Sequence, residues 1–457
     1  MVNPRYDGGR TTPLHHVRPQ LLFAGTLAVS GMPGGVLYMR RTALFLLAVR
    51  LFAQPSQANY DEAKVPRYTL PDPLILKSGE PVKDAETWNA RRRTEILAIY
   101  ESEVFGRSPA RPVKPNYEVV SVDPKALGGK AERKLVALYF GGKTDPCMHL
   151  LVYLPAESKR PAPIFLGLSF GGIHSIATDP GVPLQEVWMR DPSTNQWVKR
   201  TAEEKSRGAE AQRWQVEKIL DAGYGLAVAS YDEIEPDFDG GMKYGVRPLF
   251  FKPGRTVPAV DEWGAIGAWA WALRCAMDVL ERDSEIDAKH VAVMGHSRLG
   301  KTALWAGAQD TRFSIVISNE SGEGGAAISR RLFGEQTRNL NSSFPHWFDG
   351  NFKKYSDRED QMPFDSNMLM SLIAPRGLYV ASAEEDRWSD PKGEFLGAAE
   401  ASKVWDLFGK KGIGTMEMPG LHQPVGQDVR YHIRAGKHDV TAYDWEQYLK
   451  FAREQWK

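Results

Sequence analysis

The sequence predicts an α/β fold, a three-layer α/β/α sandwich whose central sheet is mostly parallel and carries loop insertions over one end. Three observations predict it. From residue 163 onward, short apolar and β-branched runs alternate with longer stretches of helical period, the pattern of a parallel sheet covered on both faces. Ahead of them, the runs at 117–122, 134–140 and 149–154 read as strands and predict an antiparallel start to the same sheet. The third is Val291-Ala-Val-Met-Gly-His-Ser-Arg-Leu-Gly-Lys-Thr-Ala-Leu-Trp305. There a buried-strand run stops at Gly295, and Leu299, Ala303, Leu304 and Ala306 then recur at helical spacing.

In chain order, a leader comes first. Met39-Arg-Arg-Thr-Ala-Leu-Phe-Leu-Leu-Ala-Val-Arg-Leu-Phe-Ala-Gln-Pro55 has a basic start, a short apolar core broken by Arg50, and small residues after it. That is the form of a secretory signal, too short for a membrane span, and it predicts a secreted or periplasmic protein whose translation starts at Met39; the competing reading is a disordered leader on a cytoplasmic protein. Residues 1–56 are therefore set apart as a leader, and 57–457 are read as a single domain. Residues 71–81 are extended and punctuated by proline. Asp84 opens a helix through Trp88, Ile96, Leu97 and Tyr100, apolar on one face, with Arg91 to Arg93 exposed. Pro163-Ile-Phe-Leu-Gly-Leu-Ser-Phe-Gly-Gly172 is a buried strand ending in a glycine pair. Gly171 and Gly172 either offer N–H groups to an oxyanion or make a plain tight turn. Residues 179–207 are polar, carry Trp188 and Trp197, and read as an insertion over the sheet. A helix at 210–222 leads to a strand at 225–230, a Gly-, Asp- and Pro-rich loop at 232–258, and an apolar helix at 262–280. Beyond 305 come a strand at 313–318, a second insertion at 323–365, a strand at 378–382, a helix at 398–408, a strand at 415–418 and a final helix at 442–451.

Composition narrows the function classes. Lys plus Arg (58) balances Asp plus Glu (57), so no electrostatic case exists for nucleic acid or an anionic membrane surface. The 13 Trp residues mildly favour a carbohydrate ligand, since indole rings stack on sugar faces as well as filling cores. Of the two cysteines, Cys275 lies in the apolar helix as a buried thiol, and nothing supports a disulfide to Cys147.

The chemistry begins at Ser297. Strand, sharp turn and helix with a serine at the bend is the layout of a nucleophile elbow, where helix N-terminal N–H groups face a developing anion. The competing reading is a helix-capping serine. Against the usual G-x-S-x-G, the second glycine, Gly300, comes one residue late. A serine nucleophile needs a base and an acid to orient it, in chain order Ser, acid, His for the α/β-hydrolase arrangement. His438, in a glycine loop running into the last helix, is the expected base, with His422 the runner-up and His432 a third possibility. Two carboxylates follow strand ends, where open sheets place their sites: Glu320 and Asp386.

Gly295-His-Ser-Arg-Leu-Gly-Lys301 resembles the G-x-S-R-x-G-K signature of the carbohydrate esterase family 15 glucuronoyl esterases, shifted glycine included. His438 before Tyr443-Asp-Trp445 is similar to the catalytic histidine of bacterial members, and the resemblance runs from about Tyr68 to the C-terminus. His296 stands where fungal members have cysteine, which agrees with a bacterial subgroup and weakens any disulfide there. Members differ in whether the acid follows the strand after the elbow or the next one, and this chain has a carboxylate at both. The resemblance implies Glu320 as the main orienter with Asp386 contributing. It also implies that Lys301, Glu335 and Trp388 bind the uronic acid sugar. Lys301 lies one helical turn after Ser297, on the same face. Arg298 carries a permanent guanidinium beside the attacked carbonyl, able to donate to the oxyanion.

The resulting expectation is a serine esterase with an α/β-hydrolase domain at 57–457. It cleaves the ester between a xylan (4-O-methyl)glucuronate and a lignin alcohol through an acyl-enzyme, without metal or organic cofactor, as a monomer. The alternatives are an acetyl-xylan or other carbohydrate acyl esterase, and a non-catalytic carbohydrate-binding relative.

Overall fold

Ten strands form the central sheet, and six neighbouring ones within it run parallel. In chain order the strands are β1 (Asn116–Lys125), β2 (Ala131–Tyr139), β3 (Cys147–Pro155), β4 (Ala162–Ser169), β5 (Glu186–Arg190), β6 (Trp197–Thr201), β7 (Gly225–Ser230), β8 (Ile286–His296), β9 (Phe313–Asn319), β10 (Gly377–Ala383), β11 (Val425–Gly426) and β12 (Val429–Arg434). The sheet order is β1-β2-β3-β7-β4-β8-β9-β10-β12-β11, while β5 and β6 pair as a separate hairpin. The computed structural model describes residues 58–112, 114–142, 147–158 and 160–457. Residues 57–457 make one compact unit; the expected leader lies outside the described residues.

The period-two alternation of strand side chains divides the interior into two cores. Val291, Val293, Val316, Leu378 and Val380 face one way, onto the helices Ala265–Leu280, Arg298–Gln309 and Pro391–Ala401. Ala292, Met294, Ile315, Ile317, Tyr379 and Ala381 face the other, onto Val216–Asp221 and Ala442–Gln455. Strands buried on both faces must be apolar throughout, which is why β7 and β10 read as unbroken small and apolar runs. The antiparallel start is present: β1–β2, β2–β3 and β3–β7 all pair antiparallel.

Several expectations are corrected. Residues 415–418 form no strand and Met416 is 54% exposed; the last long strand is Val429–Arg434. Its arginines and histidine hid it, because buried charge is acceptable only when paired, and the partners lie far away in sequence. Arg92 is not exposed: it is buried against the carbonyls of Asp72 and Pro73 and against Glu95. The helix expected at 210–222 breaks at Gln215, which sits at φ 47° between Ala211–Trp214 and Val216–Asp221. The helix expected at 398–408 is Pro391–Ala401 followed by the short Lys403–Asp406. Most tryptophans are buried, Trp269, Trp271, Trp305 and Trp405 fully so, and their number reflects the core more than a sugar surface. Cys147 and Cys275 are both free thiols. No helix among the described residues is long and apolar enough to cross a membrane.

Candidate active site

Parallel strands point their carboxyl ends the same way, and β8, β9, β10 and β12 are consecutive neighbours. The loops leaving them carry Ser297, Glu320, Asp386 and His438, so topology alone converges these four residues on one edge of the sheet.

Ser297 follows β8 at φ 57° and ψ −129°, a conformation that non-glycine residues rarely adopt. Its side chain makes no cap hydrogen bond to the helix it precedes, so the capping role is not the one observed. Both flanking glycines are forced by crowding. A Cβ on Gly295 would lie 1.9 Å from the Leu299 carbonyl oxygen, and one on Gly300 would lie 2.9 Å from Ser321 Cβ. The late glycine therefore marks where the helix crosses the loop after β9, not a defect in the elbow. Ser297 N–H donates to the Asn319 carbonyl at 2.9 Å, tying the bend to β9.

His438 Nδ1 lies 2.6 Å from Asp386 Oδ2 and 3.2 Å from Glu320 Oε2. With Nδ1 engaged, Nε2 is the free ring nitrogen. The ring centroid lies 4.4 Å from that of His296, the residue beside Ser297, with the two rings tilted by 42°. Glu320 is the acid expected to orient the base most, but the shorter contact is made by Asp386. Glu320 gives its other oxygen to Arg434 Nη2 at 2.7 Å and accepts the Asp439 N–H at 3.1 Å, so it is shared, while Asp386 makes the shorter contact. Burial raises the Glu320 carboxyl to about 7, against the pull of His438 and Arg434. Burial also acts to raise Asp386, but the hydrogen bond and charge of His438, with Ser389, hold it below its ordinary value. The two carboxylates outweigh the burial of His438 and lift its imidazole to about 9.

The other histidines are committed elsewhere. His432 is buried between the Tyr379 hydroxyl and Asp444, and His422 Nε2 accepts from the Ala435 N–H. Glu320, Asp386 and His438 bring ligand-type atoms within 4.8 Å of one another. An ion there would displace the Asp386–His438 hydrogen bond, so the arrangement suits proton transfer better than metal binding.

Arg298 Nη1 donates to Asp237 Oδ2 at 2.8 Å, and its guanidinium stacks 5.0 Å from the Trp347 ring. Its Nε is buried without a partner. Asp237 also accepts from His346 and from Trp347 Nε1. Sequence reasoning missed Asp237 and Trp347: one acid in a 27-residue polar loop and one tryptophan among 13 carry no signal of their own. Lys301, an exposed cation on a plain helix reading, is instead 3% exposed. Its Nζ donates to the Ser321 carbonyl and lies 3.7 Å from Glu335 Oε2. Burial lowers the Lys301 ammonium and raises Glu335, each partly opposed by the other. Glu335 N–H donates to the Trp388 carbonyl, and the Trp388 side of this group is open, at 41% exposure. Gly172, at φ 92°, uses its carbonyl to accept from Ser169 and Ser175, in line with a tight turn.

Comparison with known proteins follows from this geometry. A family model described as glucuronyl esterase, fungi, matches residues 258–409. A curated carbohydrate esterase of an unknown prokaryotic organism is 48% identical over 406 residues, covering 88% of this chain and 93% of its own. A solved glucuronoyl esterase from Solibacter usitatus is 68% identical with a TM-score of 0.84, over 86% of this chain and 100% of the other. A promiscuous CE15 esterase from a marine bacterial metagenome is 47% identical with a TM-score of 0.80, over 87% of this chain and 100% of the other.

Proposed function

The chain belongs to carbohydrate esterase family 15, the glucuronoyl esterases, and from that membership we propose a serine esterase that hydrolyses glucuronoyl esters through an acyl-enzyme. The observation that carries the chemistry is His438 held through Nδ1 by Asp386 at 2.6 Å beside the strained Ser297 elbow. Ser297 Oγ attacks the uronate carbonyl carbon as His438 Nε2 takes its proton. The oxyanion is met by backbone N–H groups at the helix N-terminus and by the unpartnered Nε of Arg298. Collapse expels the alcohol, which takes the proton from His438; water then attacks the acyl-enzyme by the same route and glucuronate leaves. Asp386 orients the imidazole, and Glu320 adds negative charge from the second side.

The uronate preference rests on Lys301 and Glu335, a buried charged pair one turn from the nucleophile, with Trp388 as the sugar-facing ring. The substrate in this reading is the ester joining xylan (4-O-methyl)glucuronate to a lignin alcohol, met outside the cell by a secreted or periplasmic monomer. A wider acyl scope is the second reading, favoured by the promiscuous relative at 47% identity. Assaying benzyl glucuronate and an acetyl ester side by side separates them. Turnover of the glucuronate alone supports the first reading, and comparable rates on both support the second.

A further inference from the structure

The loop that carries His438 hangs on one buried side chain with no part in the chemistry above. Arg434 ends β12 and is 2% exposed. A guanidinium has five N–H donors in a fixed plane, and here all five are used. Nε donates to Asp444 Oδ2 at 2.8 Å, and Nη1 to the carbonyls of Ala435 and Lys437 at 3.1 Å each. Nη2 donates to Glu320 Oε1 at 2.7 Å and to the Asp439 carbonyl. The three carbonyls straddle His438, so one rigid group fixes the backbone on both sides of it. Asp444 is held from behind by His432 Nε2 at 2.8 Å and by the Thr441 N–H and hydroxyl at 2.7 Å each. His432 in turn meets the Tyr379 hydroxyl at 2.9 Å. Arg434, Glu320, Asp444, His432 and Tyr379 are all buried.

We propose that Arg434 is a positioning residue for the esterase reaction. It sets the 435–439 loop so that His438 Nδ1 meets Asp386, and it pins the Glu320 carboxyl behind the imidazole. The inference rests on His438 being the base. Lysine keeps the charge but presents its donors from one point, so it cannot reach Glu320, Asp444 and three carbonyls together. A shift of about 1 Å in a positioned catalytic group costs about a hundredfold in rate.

The test compares Arg434→Lys and Arg434→Ala with the unaltered full chain on benzyl glucuronate, well below each melting temperature. Three readouts are followed: kcat, KM and the strongly deshielded proton NMR signal of the His438–Asp386 hydrogen bond. Arg434→Lys is expected to lose about a hundredfold in kcat with KM within about twofold, together with that signal. In Arg434→Ala, added guanidinium should restore part of the turnover and methylammonium none; should Arg434→Ala not fold, Arg434→Lys carries the test. An Arg434→Lys enzyme that keeps more than about half of its kcat, or that loses activity through KM alone, overturns the proposal. Turnover surviving in His438→Ala would instead remove the base assignment beneath it. A dead His438→Ala beside a normal Arg434→Lys sinks this inference alone.

Discussion

At the residue scale, Ser297 and the two acids make the sharpest claims. Ser297→Ala should lose about 10⁴ or more in kcat while still binding substrate, and retention of more than about a tenth of the activity would refute the nucleophile. The acids share one function, so their effects should not add. Asp386→Ala should cost more than Glu320→Ala, because Asp386 makes the shorter contact and Glu320 is divided with Arg434. The double variant should approach His438→Ala. A general base must be neutral to act, and the two carboxylates lift His438 to about 9. kcat/KM is therefore expected to rise with pH up to that region. Removing one negative partner in Asp386→Asn lets the imidazole lose its proton sooner, which moves this limb to lower pH. A limb that stays put would show that Asp386 does not bear on the titrating group. The sequence identified both carboxylates, and the resemblance put Glu320 first where the geometry gives Asp386 the shorter contact. Ranking depended on Arg434, whose interaction with Glu320 spans 114 residues.

At the scale of elements, the elbow was legible because its requirements are local. The end of a strand, two glycines and the start of a helix are contiguous in the chain, and the shifted glycine, noted in the sequence, is explained by the close Ser321 contact. Gly295→Ala should accordingly abolish activity or folding, measured by turnover and melting temperature, since its methyl would meet a backbone oxygen at 1.9 Å. Strand β12 was illegible for the opposite reason. In Val429-Arg-Tyr-His-Ile-Arg434 the alternation is present, but half the pattern is polar, and its partners Glu454, Asp444 and Glu320 sit on other elements. The first turn of the elbow helix holds two cations, to which the proposed mechanism gives separable roles. With Arg298 proposed to meet the oxyanion, Arg298→Ala should lower kcat and kcat/KM together. Lys301 is paired with Glu335, so Lys301→Ala should act mainly through KM and on uronate esters more than acetate esters. Equal losses on both ester classes would remove the uronate role of Lys301.

At the scale of the whole molecule, the sheet edge that gathers the site also gathers buried acids, and these tie stability to pH. Glu394 is fully buried beneath the loop after β9, where it accepts from Gly322 N–H at 3.0 Å and Ser382 Oγ at 2.6 Å. Burial, aided by Asp386 and Glu320, lifts its carboxyl from 4.5 to about 8. A carboxyl raised on folding binds a proton more tightly folded than unfolded. Its stabilising contribution is complete below about 4.5 and is lost as pH climbs to about 8. His438, raised from 6.5 to about 9, loses its contribution between those values, overlapping the upper part of that range and extending beyond it. The opposite group, acids lowered on folding such as Asp386 and Asp444, has gained its full contribution once pH exceeds the ordinary carboxyl range and adds no slope above it. The melting temperature should therefore fall between about pH 6 and pH 9. Glu394→Gln copies the protonated form at every pH, since an amide can accept from Gly322 and donate to Ser382. Thermal melts of the two proteins across that range should give a shallower slope for Glu394→Gln, with the curves diverging at the alkaline end. Parallel curves would mean that Glu394 is ionised in the folded protein and that its charge is met by a partner other than the two hydrogen-bond donors named.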